Sequence, residues 1–180
     1  RNLFEVGAEV SFKTFKIWED QGVDRVDRRH ILEPYANYTL RINAGAEPDN
    51  LYQFDSVDTL DALHQIRIGA RNKLQTKRNG RPFDLVDLDT YTILNLDPET
   101  DESVLEDVHL DAEFRPNDWL SLDLDGIFDI DASELQQFNT RIELLQEDAW
   151  RARVEHRYRS EESNLLATLL TLYPSQRWAF

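Results

Sequence analysis

Apolar and polar side chains alternate along most of this chain. Successive side chains of a β-strand point to opposite faces, so alternation predicts strands with one apolar and one polar face. In residues 107–115, Val108, Leu110, Ala112 and Phe114 share one face, and Asp107, His109, Asp111, Glu113 and Arg115 the other. Residues 120–129 repeat the pattern: Leu120, Leu122, Leu124 and Phe128 oppose Ser121, Asp123, Asp125 and Asp129, with Ile127 breaking the polar set. Between them lies Arg115-Pro116-Asn117-Asp118. Pro fixes φ, and Asn and Asp tolerate tight backbone, so this tetrapeptide predicts the turn of a hairpin.

The same period runs upstream. Residues 4–12 set Phe4, Val6, Ala8, Val10 and Phe12 against Glu5, Gly7, Glu9 and Ser11. Residues 32–42 set Leu32, Pro34, Ala36, Tyr38, Leu40 and Ile42 against Glu33, Tyr35, Asn37, Thr39 and Arg41. Residues 64–76 and about 83–96 alternate likewise around Asn79-Gly80. That dipeptide is the strongest short hairpin signal, because a type I′ turn needs φ > 0 at both central positions. The last third reads two ways. Leu135, Phe138, Ile142 and Leu145 fit a helical stripe, with Ser133 and Gln136 resembling a capping box. Yet Trp150, Ala152, Val154, His156 and Tyr158 alternate cleanly with Arg151, Arg153, Glu155, Arg157 and Arg159. Residues 164–173 are apolar on both faces and fit a buried strand or a helix. The expectation is an all-β, antiparallel up-and-down meander of about nine or ten strands.

Composition narrows the class. The 180 residues are 41% hydrophobic and 11% aromatic, too apolar for a disordered chain. Acidic residues outnumber basic ones 35 to 20, a net charge of −15, which argues against a nucleic-acid partner. The absence of Cys removes disulfides, thiolate metal sites and a Cys nucleophile. No apolar run reaches the ~18 residues of a membrane helix, but barrel strands alternate and leave no such run. The chain has no Met and begins at Arg1 with no signal-like segment, so it reads as a fragment of one domain spanning 1–180.

Alternation fits two architectures. A soluble sandwich turns its apolar face inward, whereas a membrane barrel turns it to lipid and lines its lumen with the polar one. Dense opposite charges on the polar faces fit a wet lumen. The candidate lumen-facing charges are Asp111, Glu113, Asp123, Asp125, Arg141, Glu143, Arg151, Arg153, Glu155 and Arg157. Aromatics near strand ends (Phe114, Trp119, Trp150, Tyr158, Tyr173 and Trp178) fit interfacial girdles. No spacing of His, Asp or Glu predicts a metal site, no nucleotide or hydrolase motif occurs, and neither enzyme chemistry nor a cofactor is expected.

Leu32-Glu33-Pro34-Tyr35 with Asn37-Tyr38 is followed by Phe54-Asp55-Ser56-Val57-Asp58, then by Ile68-Gly69-Ala70-Arg71-Asn72-Lys73-Leu74-Gln75-Thr76. Further on come Asp118-Trp119-Leu120-Ser121-Leu122, Tyr158-Arg159 and Tyr173-Pro174-Ser175-Gln176-Arg177-Trp178. This order resembles the barrel of the lipopolysaccharide-assembly outer-membrane protein family (LptD, the organic-solvent-tolerance family) over about residues 30–180. The resemblance implies a very large barrel in the Gram-negative outer membrane, no bond chemistry, and delivery of lipopolysaccharide to the cell surface. It implies as partners lipopolysaccharide, outer-membrane lipid, a plug lipoprotein and a periplasmic bridge protein. Phe54, Asp55, Ser56 and Asp58 match a family loop element without an assigned role. The chain lacks the family's jellyroll domain and cysteines, and its strands are too few to close such a barrel. It would be an arc of wall, with loop 44–63 extracellular and 79–80, 116–117 and 147–148 periplasmic. The connection 19–29 then falls on the periplasmic side, where it is unusually long. A porin-like or uptake barrel, and a soluble acidic β-rich binding module, are the alternatives.

Overall fold

The computed structural model describes residues 2–18, 27–44, 63–96, 104–146 and 149–173. Every regular element among them is a strand: β1 (Asn2–Ser11), β2 (Thr14–Trp18), β3 (Arg28–Ala44), β4 (Leu63–Arg78), β5 (Arg81–Asn95), β6 (Leu105–Asn117), β7 (Leu120–Asp129), β8 (Glu134–Gln146), β9 (Trp150–Arg159) and β10 (Ser163–Leu172). They form one antiparallel sheet in the order β1-β3-β4-β5-β6-β7-β8-β9-β10, with β2 also on β3. From β3 onward each strand pairs with its neighbour in sequence, β1 and β2 both lie on β3, and the sheet does not close on itself. The all-β meander expected from the alternation is the observed fold.

β1 and β2 are two parts of one line. Ser11 faces Tyr35 and Thr14 faces Leu32, so the register runs unbroken across Phe12 and Lys13. The interruption lies opposite Pro34. Phe12 N–H donates to the Pro34 carbonyl at 3.3 Å, but Pro34 has no N–H to return the bond. β2 is absent from the sequence reading because polarity inverts there. Thr14 and Lys16 continue the apolar face, while Phe15 and Ile17 fall on the polar one.

The turns follow local chemistry. Asn79 (φ 49°) and Gly80 (φ 76°) give the type I′ turn between β4 and β5. The turn expected at 115–118 sits later, at Asp118 and Trp119, because β6 continues to Asn117 through a register shift after Phe114. Pro116, which lacks a donor, lies inside that shift, where the ladder asks for none. The Asn117 side chain then accepts the Trp119 N–H at 3.1 Å. Between β7 and β8, Asp129 accepts the Ala132 N–H at 2.8 Å, and Ser133 takes φ 53°. The helical reading of 134–172 is therefore not realised. Ser133 is a turn residue, and Gln136 lies in a strand and donates to Asp129 at 3.0 Å.

The alternating connections define two ends. The first carries the turns at 79–80 and 118–119, and the second those at 130–133 and 160–162. Loop 45–62 and residues 147–148 lie outside the described residues.

A single sheet has no interior, and burial reflects that. Among the described hydrophobic side chains only Tyr35 is buried, at 4% exposure, and it belongs to the polar face. The apolar face is open: Phe4, Val10, Ile68, Phe114, Ile142 and Leu166 are all exposed. β10 corrects the expectation of a buried segment. It is an edge strand, and Leu165, Leu166, Leu169 and Leu170 are each more than half exposed.

Candidate functional site

Strand register carries the polar residues of separate strands onto one continuous charged face. Glu33 faces Arg71, which faces Asp89, then Asp111, Asp125, Asn139 and Arg157 in turn across β3–β9. The adjacent row runs Lys73, Asp87, Glu113, Asp123, Arg141 and Glu155. Glu143 and Arg153 form the next pair on β8 and β9. By register, the ten candidate charges, Arg151 included, occupy positions on one face of the sheet. The loop residues Phe54, Asp55, Ser56 and Asp58 lie outside the described residues.

The charges are sorted rather than mixed. On β8 and β9, acids and bases interdigitate. Glu155 accepts from Arg141 at 3.0 Å and from Arg157 at 2.9 Å, with Arg153 at 3.8 Å. Glu143 holds Arg153 at 2.8 Å and Arg151 at 3.6 Å. On the opposite flank, Arg71 reaches Glu9 at 3.2 Å and Glu33 at 3.7 Å, and Lys73 reaches Asp87 at 2.5 Å. The middle strands oppose like charges: Asp89, Asp111 and Asp125 are directly opposite one another, as are Asp87, Glu113 and Asp123. Like charges so placed repel. Partial relief comes from the flanks, through Arg141 on Asp123 at 3.7 Å and through Gln137 and Asn139 donating to Asp125 at 2.8 and 2.7 Å. Asp111 and Glu113 make no ion pair with the arginines of β9. Those arginines sit three strands away and are engaged by Glu143 and Glu155.

An aromatic joint that sequence reasoning missed interrupts this face. Tyr35 lies over Gly69, donates its hydroxyl to the Asp89 carboxylate at 3.1 Å, and carries the Arg71 guanidinium over its ring at 4.1 Å. Beside it, Arg67 covers Tyr91 at 4.3 Å, and Tyr91 stacks on His109 at 4.5 Å. Tyr35 and Tyr91 stand at polar-face positions in the alternation, which was the available signal. Pairing them with Gly69 requires the strand register.

The curved charged face encloses an open concavity of about 830 Å³, lined by Asp111, Glu113, Asp123, Asp125, Arg141 and Arg157 among others. Its walls are charged, hydrogen-bonded and water-accessible, and they can solvate a polar, ionic solute. Among the described residues no group of His, Asp and Glu is arranged to hold a metal ion.

The opposite face is apolar with aromatics toward both ends. Trp18, Phe114 and Trp150 lie toward the first end, and Phe4, Phe128, Phe138 and Tyr158 toward the second. Compared with known proteins, the chain matches no protein-family pattern and no curated protein.

Proposed function

We propose that this chain is an arc of the wall of an outer-membrane β-barrel, with its apolar face toward lipid and its charged face toward a water-filled lumen. One observation carries the reading: the apolar face of a ten-stranded sheet is uncovered, while the charged face is knit by ion pairs. A soluble sandwich needs a second layer over that apolar face. Lipid supplies the cover in a barrel, and aromatics near both strand ends fit the two membrane interfaces. Apart from the five-residue β2, which continues the line of β1, the strands are 10 to 17 residues long and meet the ~9–11 needed to cross.

The cargo is proposed on the sequence resemblance. The lumen would solvate the sugar and phosphate headgroup of lipopolysaccharide while its acyl chains stay with lipid. A plug lipoprotein and a periplasmic bridge protein would be the partners. No bond is made or broken.

Far-UV circular dichroism in buffer and in detergent micelles tests the barrel reading. The expected result is a β spectrum that forms only with detergent, with aggregation in buffer. A soluble monomer melting cooperatively in buffer would mean that the apolar faces pack on each other, and would overturn it. Photo-crosslinkers at positions 111 and 153 then test the cargo. Crosslinks to lipopolysaccharide are expected, and their absence in a folded barrel would favour a porin-like wall.

A further inference from the structure

The lipid-facing side is not apolar to its edge. At the first end of β2–β5 it becomes basic and aromatic. Lys16 pairs across with His30, and Trp18 with Arg28. The Lys16 ammonium lies 5.4 Å from the Trp18 ring centroid, and Trp18 stacks on His30 at 6.3 Å, so these side chains share one face. On β4 and β5, Leu74 faces Val86 on the apolar side, and Thr76 with Phe83 and Arg78 with Arg81 continue that side to the turn. The Arg78 guanidinium covers the Phe83 ring at 3.7 Å.

Pairing sets this belt apart from the charged face. Arg78 is held by Asp118 at 2.8 Å, but Lys16, Arg28 and Arg81 are in no ion pair with a described residue. The second end has the reverse character. Its strand tips and turns carry Asp107, Asp129, Asp131, Glu134, Glu161 and Glu162, with Arg159 bound to Glu162 at 3.1 Å.

We propose that Lys16, Arg28 and Arg81, set among Trp18, His30 and Phe83, form a seat for the headgroups of anionic phospholipid at the first end of the sheet. The proposal rests on the barrel reading, since only a lipid-facing belt meets headgroups. Charge complementarity selects the occupant. Cations at a membrane surface that form no ion pair with a described residue attract anionic lipid by about tenfold or less each, and aromatic rings prefer the same interfacial depth.

The test uses the chain inserted into phosphatidylcholine vesicles. Spin-labelled phosphatidylglycerol and spin-labelled phosphatidylcholine report the lipid shell. The expected result is a several-fold preference for phosphatidylglycerol that Arg28→Gln with Arg81→Gln abolishes. A charge-matched pair on the lumen face, Arg29→Gln with Arg67→Gln, should leave it intact. No preference in the parent chain, or equal loss in both pairs, overturns the proposal. Displacement of the label by lipopolysaccharide more effectively than by unlabelled phosphatidylglycerol also overturns it, since the seat would then belong to the other leaflet. A chain that inserts without lipid preference brings down only the seat, and the barrel reading is tested separately by the circular dichroism in buffer and detergent.

Discussion

Tyr35 lies flat over Gly69 on the neighbouring strand, and the fit leaves no room for a side chain. A Cβ at position 69 would stand 2.7 Å from the Tyr35 Cζ and Oη and 2.7 Å from the Tyr91 Cβ. The glycine is there for close approach, since Tyr35 and Tyr91 crowd it from the strands on either side. Tyr35 is thereby the one buried hydrophobic side chain among the described residues.

Gly69→Ala is expected to destabilise the folded chain by about 1–3 kcal/mol, the usual cost of forcing volume into a filled site. Urea unfolding in detergent micelles measures it. In a Tyr35→Ala background the loss should shrink but not vanish, because the Tyr91 Cβ cannot move away as a ring can. Tyr35→Phe keeps the ring and the Arg71 contact and deletes only the hydroxyl bond to Asp89, a loss of about 1 kcal/mol. Equal tolerance of Ala at position 69 in both backgrounds would show that the ring does not set the constraint.

Asp111→Asn is expected to stabilise. Asp111 stands directly opposite Asp89 and Asp125, and no described base pairs with it. Removing its charge relieves repulsion on both sides, a gain of about 0.2–1 kcal/mol at low salt that fades as salt screens the neighbours. Glu155→Gln should act in the opposite direction, because it deprives Arg141 and Arg157 of their shared carboxylate. Urea midpoints of the two variants at low and high salt provide the check. A destabilised Asp111→Asn would mean that the acidic middle strands hold a counter-cation.

Period-two alternation made most of the strands legible, because the difference between an apolar and a polar face is written into every second residue. Asn79-Gly80 marked its hairpin, since few other dipeptides accept two positive φ values. Three features stayed hidden for physical reasons. β2 inverts the pattern, so Phe15 and Ile17 read as noise after Phe12. Residues 134–146 carry apolar positions that satisfy both periods, and only cross-strand pairing such as Ile142 with Val154 decides between them. The sorting of charge into an acidic middle and interdigitated flanks is a property of register. Alternation places Asp111 on the polar face but does not say that Asp89 and Asp125 stand beside it.

Pro34 offers the most direct test of the register at the edge of the sheet. Phe12 donates its N–H to the Pro34 carbonyl. In an antiparallel pair, a residue that accepts a bond this way also donates one back across the same gap. Pro34 lacks the hydrogen, so the Phe12 carbonyl goes without that partner and the ladder breaks into β1 and β2. Pro34→Ala should restore the donor. The new bond contributes about 0.5–1.5 kcal/mol, and the loss of proline's hold on the unfolded chain takes back about 0.4–1 kcal/mol. Overall stability should therefore change little, which makes it a poor readout. Hydrogen exchange is the informative one: the new amide at position 34 should exchange as slowly as its neighbours in β3, and the Phe12 and Thr14 amides, which point at β3, should gain protection as the two short strands become one. A fast-exchanging amide at position 34 would mean that residues 12–13 do not follow the register that joins Ser11–Tyr35 to Thr14–Leu32.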